Sequence, residues 1–145
     1  MIQVKKVRAG DADALARASE RVFHSDIHCG APGIGGPPGY DSAAWQTKMM
    51  RIGEYYKIVS EDQIVGGMIL FRQGTRQYEV GRIFVDPDFQ NQGIGTQALE
   101  FLWKNYPLAK RWSLGTPAWN HRTRYFYKKK VGFRNRRGWP GRGPV

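Results

Sequence analysis

Apolar residues recur at strand and at helix spacing along the chain, and turn residues separate the segments. Residues 2–7 alternate modestly between apolar and polar side chains and predict an opening strand. Leu15 and Val22 share one face of a helix that begins after Asp11, whose carboxylate suits a helix N-cap. Residues 29–40 are dense in Gly and Pro and therefore predict a loop.

A second helix is predicted after the Gly- and Pro-rich loop. Asp41 or Ser42 suits its N-cap, and Gly53 is a natural stop at its other end. Three apolar residues between these positions recur at i, i+4 and i+7, and they predict the buried face of this helix: Trp45, Met49 and Ile52.

The rest of the chain alternates strands and helices. Apolar and β-branched runs predict strands over residues 55–60, 64–71, 78–85, 111–116 and 131–137. Helical spacing predicts helices over 93–105 and 120–130, and the inward face of the first is formed by Ile94, Ala98, Leu99 and Leu102. The order β-α-α-β-β-β-α-β-α-β predicts a mixed α/β (α+β) fold. Its sheet is mostly antiparallel, with one parallel pairing around the helix at 93–105.

The composition fits a single folded domain over residues 1–145, with residues 138–145 as a Gly- and Pro-rich tail. The chain is 41% hydrophobic and 13% aromatic, which excludes wholesale disorder. No apolar run approaches the roughly 20 residues of a bilayer-spanning helix, and the start has no apolar signal core. The single cysteine, Cys29, excludes an internal disulfide framework. We therefore expect a cytoplasmic protein without membrane contact.

Basic residues are concentrated at the C-terminal end of the chain. Residues 1–100 hold 11 basic and 12 acidic side chains, whereas residues 101–145 hold 12 basic and no acidic ones, so that the net charge is +11. Such a positive half is typical of a protein with a polyanionic partner, of one with a phosphate-rich ligand, or of a solvated face. The charge alone does not choose among these three.

The densest chemical signal is the segment IFVDPDFQNQGIGTQAL, residues 83–99. A strand ends at Asp86, and a short loop then leads through Gly93 and Gly95 into an amphipathic helix. The first turn of a helix leaves amide N–H groups unpaired at a partially positive end. The two glycines remove the side chains that would keep a phosphate away, so the pattern predicts either a pyrophosphate cradle or a plain tight turn. It lacks the third glycine of a dinucleotide fingerprint and the Gly-Lys-Ser/Thr of a P-loop.

Two motifs resemble those of the GNAT-type N-acetyltransferase family. QNQGIG, residues 90–95, matches the family's acetyl-CoA loop, (Arg/Gln)-x-x-Gly-x-(Gly/Ala), and YEVGRIFVDP before it resembles the family's fourth strand. TPAWNHRTRYFYKKKVGF resembles the second signature, an Asn followed by Phe-Tyr and then Gly-Phe. The resemblance implies a sheet of six to seven strands flanked by about four helices. It also implies transfer of an acetyl group from acetyl-CoA to a primary amine by direct attack in a ternary complex.

The resemblance further implies which residues bind acetyl-CoA. Backbone groups of Phe84 and Val85 should pair with the pantetheine arm as an extra strand would. Asn120 resembles the asparagine that hydrogen-bonds the cofactor, and an ordinary helix N-cap is its other interpretation. The phosphate loop supplies the remaining contacts, from Gln90, Gln92, Gly93, Ile94, Gly95 and Thr96.

Tyr127 resembles the family tyrosine that protonates the departing thiolate. A phenol with a pKa of about 10 suits a thiol with a pKa of about 8.5, because proton transfer between them is nearly balanced. The spacing from Phe-Tyr to Gly-Phe is one residue longer here than is usual in the family. Counting from Asn120 selects Tyr127, whereas counting back from Gly132 selects Lys128. Tyr127 as a core aromatic is the alternative.

Glu79 is the general base that the resemblance implies. It lies six residues before Val85, where many members of the family carry a glutamate, and it would take the proton of the ammonium form of the acceptor. The alternative is a solvent-facing strand residue paired with Arg82 or Arg72.

Aromatic residues near the Gly- and Pro-rich loop occupy the segment that forms the acceptor wall in the family. Tyr40 and Trp45 suit either a flat amine-bearing ligand or plain packing. His24 and His28 stand at i, i+4, but without a further ligand we expect ordinary loop histidines and no metal site. The expected acceptor is a small-molecule or peptide amine, and the oligomeric state is left open, with a homodimer as one option.

Two other functions stay open at this point. Basic residues interleaved with aromatic ones over residues 122–142 are typical of a nucleic-acid-binding module. We regard nucleic acid as the less expected partner, because residues 1–100 are nearly neutral and hold a complete phosphate loop. A protein that binds acyl-CoA without catalysis, and so acts as a sensor, is the second alternative.

Overall fold

Up to residue 114, the helices and strands follow each other in the predicted order. A computed structural model describes residues 2–25, 31, 33, 35–90 and 92–114. The strands are β1 (Ile2–Lys6), β2 (Glu54–Ser60), β3 (Gln63–Gly74), β4 (Gln77–Val85) and β5 (Arg111–Leu114). The α-helices are α1 (Ala12–His24), α2 (Ala43–Ile52) and α3 (Ile94–Asn105). Short 3₁₀ turns at Ala9–Asp11 and Pro87–Phe89 precede α1 and α3.

The five strands form one sheet in the order β1-β2-β3-β4-β5. Each of the first four strands is antiparallel to its neighbour, whereas β4 and β5 run parallel. Helix α3 connects these two parallel strands, since parallel neighbours need a crossover rather than a hairpin. The mixed, mostly antiparallel α/β fold is therefore confirmed.

Within the described residues, the numbers of strands and helices are lower than those predicted for the whole chain. The described residues form five strands and three α-helices, against the six to seven strands and about four helices expected. The helix predicted over 120–130 and the strand predicted over 131–137 lie outside the described residues. Among the helices that the structure does describe, none combines the length and the apolar character needed to cross a bilayer.

Helices cover both faces of the sheet and form two apolar clusters. Helix α3 packs on one face, around Met68, Leu70 and Val80. Helices α1 and α2 pack on the other face, around Ile69 and Phe84. Strand β3 lies between the clusters, and its residues 65–70 are buried without interruption because neighbouring side chains point to opposite faces. All four residues predicted for the inward face of α3 are buried.

For α2, the sequence predicted the two ends of the helix correctly but not all of its buried face. The Ser42 hydroxyl accepts a hydrogen bond from the Trp45 N–H at 3.1 Å, so Ser42 rather than Asp41 is the N-cap. Gly53 follows the last turn, as predicted. Ile52, however, is 58% exposed, so its placement on the buried face is wrong. It is the last residue of the helix, where the chain is already turning towards β2.

Asp11 stands at the start of α1 but does not cap it with its side chain. Its Oδ2 instead accepts from the Arg8 N–H at 2.8 Å and from Lys57 Nζ at 2.9 Å. Burial alone would raise the pKa of the Asp11 carboxyl, but the hydrogen bond from Lys57, the Arg8 N–H and the two positive charges together lower it. The carboxylate therefore ties α1 to β2 rather than ending the helix locally.

Candidate active site

The first turn of α3 leaves backbone amides without an acceptor among the described residues. Gly93 precedes the helix in the left-handed conformation, with φ 77°, and its carbonyl accepts the N–H of Gln97 at 3.0 Å. The three N–H groups before Gln97 have no helical partner. Within the described ranges no side chain caps them, and no acidic residue stands in this turn. This partially positive end is therefore suited to an anion.

The space in front of Gly93 is open. A Cβ built on this residue would meet no atom within 4 Å, and Gln92 and Gly93 are both exposed. Ile94 points the other way, into the cluster beneath α3, and is 4% exposed. The helix is therefore anchored by its apolar side chains, and no described residue covers its amide end.

The end of β4 presents its backbone to two different sides. The Asp86 N–H donates to the Val65 carbonyl at 2.7 Å, towards β3. Backbone groups alternate along a strand, so Phe84 also faces β3, whereas Val85 faces the opposite edge. The side chain of Gln90 crosses to that edge and donates from Nε2 to the Val85 carbonyl at 2.8 Å. Gln90, predicted to bind the cofactor, thus also fixes the loop between β4 and α3.

Arg21 of α1 holds the turn that carries this loop. Its guanidinium donates to both Asp86 oxygens, at 2.9 and 3.2 Å, and to Asp88 Oδ2 at 2.8 Å. Asp86 also accepts from the Asp88 N–H at 2.9 Å. Burial alone would raise the pKa of the Asp86 carboxyl, but the hydrogen bond and charge of Arg21 and the Asp88 N–H lower it below its ordinary value. Helix α1 therefore fixes the approach to the α3 cradle.

Glu79 lies near the start of β4, on the face of the sheet that carries α1 and α2. It stands opposite Phe71, which belongs to the apolar cluster of that face. Its carboxylate is partly exposed and lies 3.5 Å from Gln73 Nε2. Val85 is six residues further along, which corresponds to about 20 Å of extended strand. A cofactor bound at the α3 cradle would therefore have to extend along β4 to reach Glu79.

Tyr40 and Trp45 lie on the same side of the sheet as Glu79, Tyr40 beside the Phe23 ring and Trp45 beside Arg82. The indole of Trp45 packs against the backbone of Gly39, where an added Cβ would overlap the ring, and the guanidinium of Arg82 lies 4.2 Å from the ring centroid. The Tyr40 hydroxyl is 2.8 Å from His24 Nε2. Burial, together with the nearby acidic side chains, raises the pKa of Tyr40. The two residues predicted for an acceptor wall are therefore held in place, Trp45 by packing against Gly39 and Arg82 and Tyr40 by a hydrogen bond with His24.

The other predicted site residues divide into two groups. Gln92, Gly95 and Thr96 stand with their neighbours at the start of α3, where the structure brings the phosphate-loop residues together. Tyr127 and Asn120 lie outside the described residues, as do the alternative Lys128, His28 and Cys29. Within the part of the chain that the structure describes, no three His, Cys, Asp or Glu side chains could share a metal ion.

Two arginines of the site were not singled out from the sequence as site residues. Arg21 lies 65 residues before Asp86, and its only sequence signal was the pair of acids that flank Pro87. Arg82 was considered only as a partner for Glu79. The signal for a separate role was the glycine between them, because Gly in a strand often marks a bulge that redirects side chains.

The chain matches a protein-family model and is similar in sequence to a bacterial protein. The model of the acetyltransferase (GNAT) family matches residues 24–133. An uncharacterized protein of Bacillus subtilis (strain 168), YrkN, is 30% identical over 79 residues, which cover 54% of this chain and 43% of that protein. The chain therefore matches less than half the length of this relative.

Solved structures share the fold at low identity. The PaiA N-acetyltransferase of Thermoplasma acidophilum, in complex with coenzyme A, has a TM-score of 0.77 at 14% identity, over 99% of this chain and 96% of that one. An acetyltransferase of Thermus thermophilus has a TM-score of 0.77 at 18% identity, over 100% and 97%. The ribosomal-protein-S18-alanine N-acetyltransferase of Escherichia coli has 0.71 at 18%, over 99% and 88%. Since the family model spans most of its length, this chain belongs to the GNAT family of acetyltransferases.

Proposed function

We propose that the protein transfers an acetyl group from acetyl-CoA to an amine. The observation that carries the proposal is the start of α3, where Gly93 turns the chain and three amides have no acceptor among the described residues. These amides suit the pyrophosphate of coenzyme A. Membership of the family and the coenzyme A complex of the Thermoplasma acidophilum enzyme support the same ligand.

The cofactor would extend from the α3 cradle along the edge of β4 that faces away from β3. Among the described residues, β4 pairs with β5 only over Gln77–Val80, so the backbone of Val85 lies beyond this pairing. The Val85 N–H suits a hydrogen bond to the pantetheine arm, which leaves the thioester further along β4, towards Glu79. Phe84, the other residue predicted for this role, faces β3, and we assign the contact to Val85.

Glu79 would act as the general base. An amine arrives mostly as ammonium, and only its lone pair attacks the thioester carbonyl, so a carboxylate that removes the proton permits the attack. The attack forms the amide bond and breaks the carbon–sulfur bond. Tyr127 would then protonate the departing thiolate, and Asn120 would hydrogen-bond the cofactor. These two roles rest on the resemblance of their motif.

Turnover and cofactor binding can be tested separately. We expect thiol release from acetyl-CoA when amines are supplied, and a calorimetric binding signal for acetyl-CoA alone. Gly95→Glu places a carboxylate in the first turn of α3, where it suits the helix but repels a diphosphate, so binding should be lost while the melting temperature is kept. Gln3→Glu adds the same charge on β1 and serves as the control.

The outcomes separate the proposal from its alternatives. Tight binding without any thiol release across a broad amine set would indicate an acyl-CoA sensor instead of an enzyme. No binding by the wild-type protein at millimolar acetyl-CoA would contradict the proposal. Equal binding by Gly95→Glu and wild type would place the diphosphate elsewhere on the molecule.

A further inference from the structure

A groove of about 480 Å³ lies beside β1, at the outer edge of the described sheet. Its volume is within the range of small-molecule sites. Four of the five described residues that line it are basic: Lys5, Lys6, Val7, Arg8 and Lys57. Val7 packs into the cluster beneath α1 and α2, whereas α3 packs on the other face of the sheet. The groove is therefore separate from the α3 cradle.

Two of the lysines stand side by side on the face that carries α1 and α2. Lys5 of β1 is directly opposite Lys57 of β2 in the antiparallel pairing. Side chains at such positions are about 5 Å apart at Cβ, and like charges there are destabilising. The Lys6 side chain points to the other face, where its ammonium lies 4.8 Å from the centroid of the Tyr56 ring. The groove therefore holds a pair of ammonium groups that repel each other.

Lys57 is held in place and still has N–H donors to offer. Its side chain is only 15% exposed, and its Nζ donates to Asp11 Oδ2 at 2.9 Å. An ammonium group has three donors, and no second acceptor for this one is found among the described residues. Asp11 therefore orients Lys57 without using all of its hydrogen-bonding capacity.

Arg8 adds a third cation to the groove. Burial alone would raise the pKa of the Asp11 carboxyl, but the hydrogen bonds from Lys57 and from the Arg8 N–H, with the charges of both residues, lower it. The Arg8 guanidinium is thus close enough to act on the same carboxylate. Within the described part of the chain, Asp11 is the only acid in an ion pair with any of these cations. Three cations and one carboxylate leave a net charge of +2.

Protection of the sheet edge does not account for the whole cluster. Lysines on an edge strand prevent two sheets from pairing, and the exposed Lys5 fits that role. Lys57, however, is on β2, which has a strand on either side, and its side chain is largely buried. Two ammonium groups beside a groove are instead typical of an anion site.

We propose that this groove binds the phosphate group of a small phosphorylated molecule. A phosphate monoester carries a charge of about −1.5 to −2 at pH 7 and three acceptor oxygens, which match the net charge of the site and its spare N–H donors. Bound between Lys5 and Lys57, it would remove their repulsion. Val7 offers an apolar wall for the rest of the ligand. This site is independent of the acetyltransferase function proposed above.

Calorimetry with phenyl phosphate and phenyl sulfate tests the proposal. The two probes share their ring and their size, but the phosphate carries about one negative charge more at neutral pH. We expect saturable binding of phenyl phosphate, about 10-fold tighter than that of phenyl sulfate and weaker at high salt. A short phosphoserine peptide is the third probe and should bind no more tightly than phenyl phosphate.

Variants locate the binding site. Lys5→Gln removes one member of the repulsive pair, so it should weaken phenyl phosphate binding about 10-fold and yet raise the melting temperature of the unliganded protein. Arg8→Gln should weaken binding to a similar extent. Lys104→Gln, at an exposed position of α3, should bind as the wild type does. Gly95→Glu, which blocks the α3 cradle, should also keep the affinity and so exclude that cradle as the site of the probe.

The outcomes are distinct from those of the acetyl-CoA experiments, because no cofactor is needed. Weaker binding in Lys5→Gln and Arg8→Gln, with both controls unchanged, would support the site. No binding of phenyl phosphate by the wild type, or an unchanged affinity in Lys5→Gln, would overturn it. Equal affinities for the phosphate and the sulfate would overturn the preference for a doubly charged group. Binding of the phosphoserine peptide alone would overturn the assignment to a small molecule.

Discussion

Asp86 is a buried residue, 7% exposed, and its carboxylate accepts hydrogen bonds from Arg21 and from the backbone N–H of Asp88. A buried carboxylate without a cation would be costly, so Arg21 permits a charged group at the point where β4 ends. The same contacts fix the turn that leads into the α3 cradle. No local pattern predicts this pair, because its members lie 65 residues apart and meet only when α1 packs on the sheet.

Replacing Arg21 by Met should destabilise the protein in a pH-dependent way. Arg21 lowers the folded-state pKa of Asp86 below its unfolded value of about 4. Its stabilisation is therefore fully present above about pH 4 and is lost as the pH falls through the lowered pKa. We expect the melting temperatures of Arg21→Met and wild type to differ at pH 6 and to converge in acid. Arg17→Met, on an exposed turn of α1, is the control, and a constant difference at all pH values would contradict this account.

Glu79 permits a prediction about catalysis alone. Because we propose Glu79 as the general base, the Glu79→Gln variant should have a kcat that is lower by about 10²- to 10⁴-fold. Its affinity for acetyl-CoA should be unchanged. Raising the pH should recover part of the rate, because more of the amine is then free of its proton. Glu100→Gln, on the exposed side of α3, is the matched control. A variant with wild-type kcat would remove Glu79 from the mechanism.

Among the helices and strands, the sequence predicted where the helices end and which side of α3 is buried. The pairing register of the strands was seen only in the structure. Ser42 and Gly53 bound α2 as expected, and the buried side of α3 followed from its spacing. Strand β4 has a bulge at Gly81, which depends on which residues of β3 and β4 face each other, and a sequence pattern does not specify that pairing. The sequence therefore did not predict that Glu79 and Arg82 lie on the same face of the sheet.

The start of α3 yields a stability prediction with an internal control. Gly93 has φ 77° and open space where a Cβ would stand, so Gly93→Ala should cost about 1 kcal/mol through backbone strain alone. Gly10 has the same open space without a positive φ, so Gly10→Ala should be neutral or slightly stabilising. Chemical denaturation measures both. Equal effects of the two substitutions would contradict the left-handed turn.

At the scale of the whole molecule, β3 joins the two apolar clusters. Met68 and Leu70 belong to the cluster beneath α3, and Ile69 belongs to the cluster beneath α1 and α2. Unfolding either layer exposes one side of this strand, so we expect β3 to open only when the whole domain does. The sequence predicted this central strand from its apolar run, but it did not predict how the clusters divide.

Hydrogen exchange should identify β3 as the most protected strand among the described residues. Met68→Ala, at a fully buried position, should lower the global stability by about 2–5 kcal/mol and reduce the protection of residues 65–70 by the same amount. Ile52→Ala, at a 58% exposed position, should change stability by less than about 0.5 kcal/mol. Slow exchange confined to β1 would contradict this picture.

The most direct test of the central claim is an NMR titration of the wild-type protein with acetyl-CoA, observing backbone amides. We predict saturable binding at a single site, with the largest changes of amide chemical shift at Gly93, Ile94, Gly95 and Thr96 and a further change at Val85. Binding that leaves the amides at the start of α3 unchanged, or an absence of binding, would contradict the account.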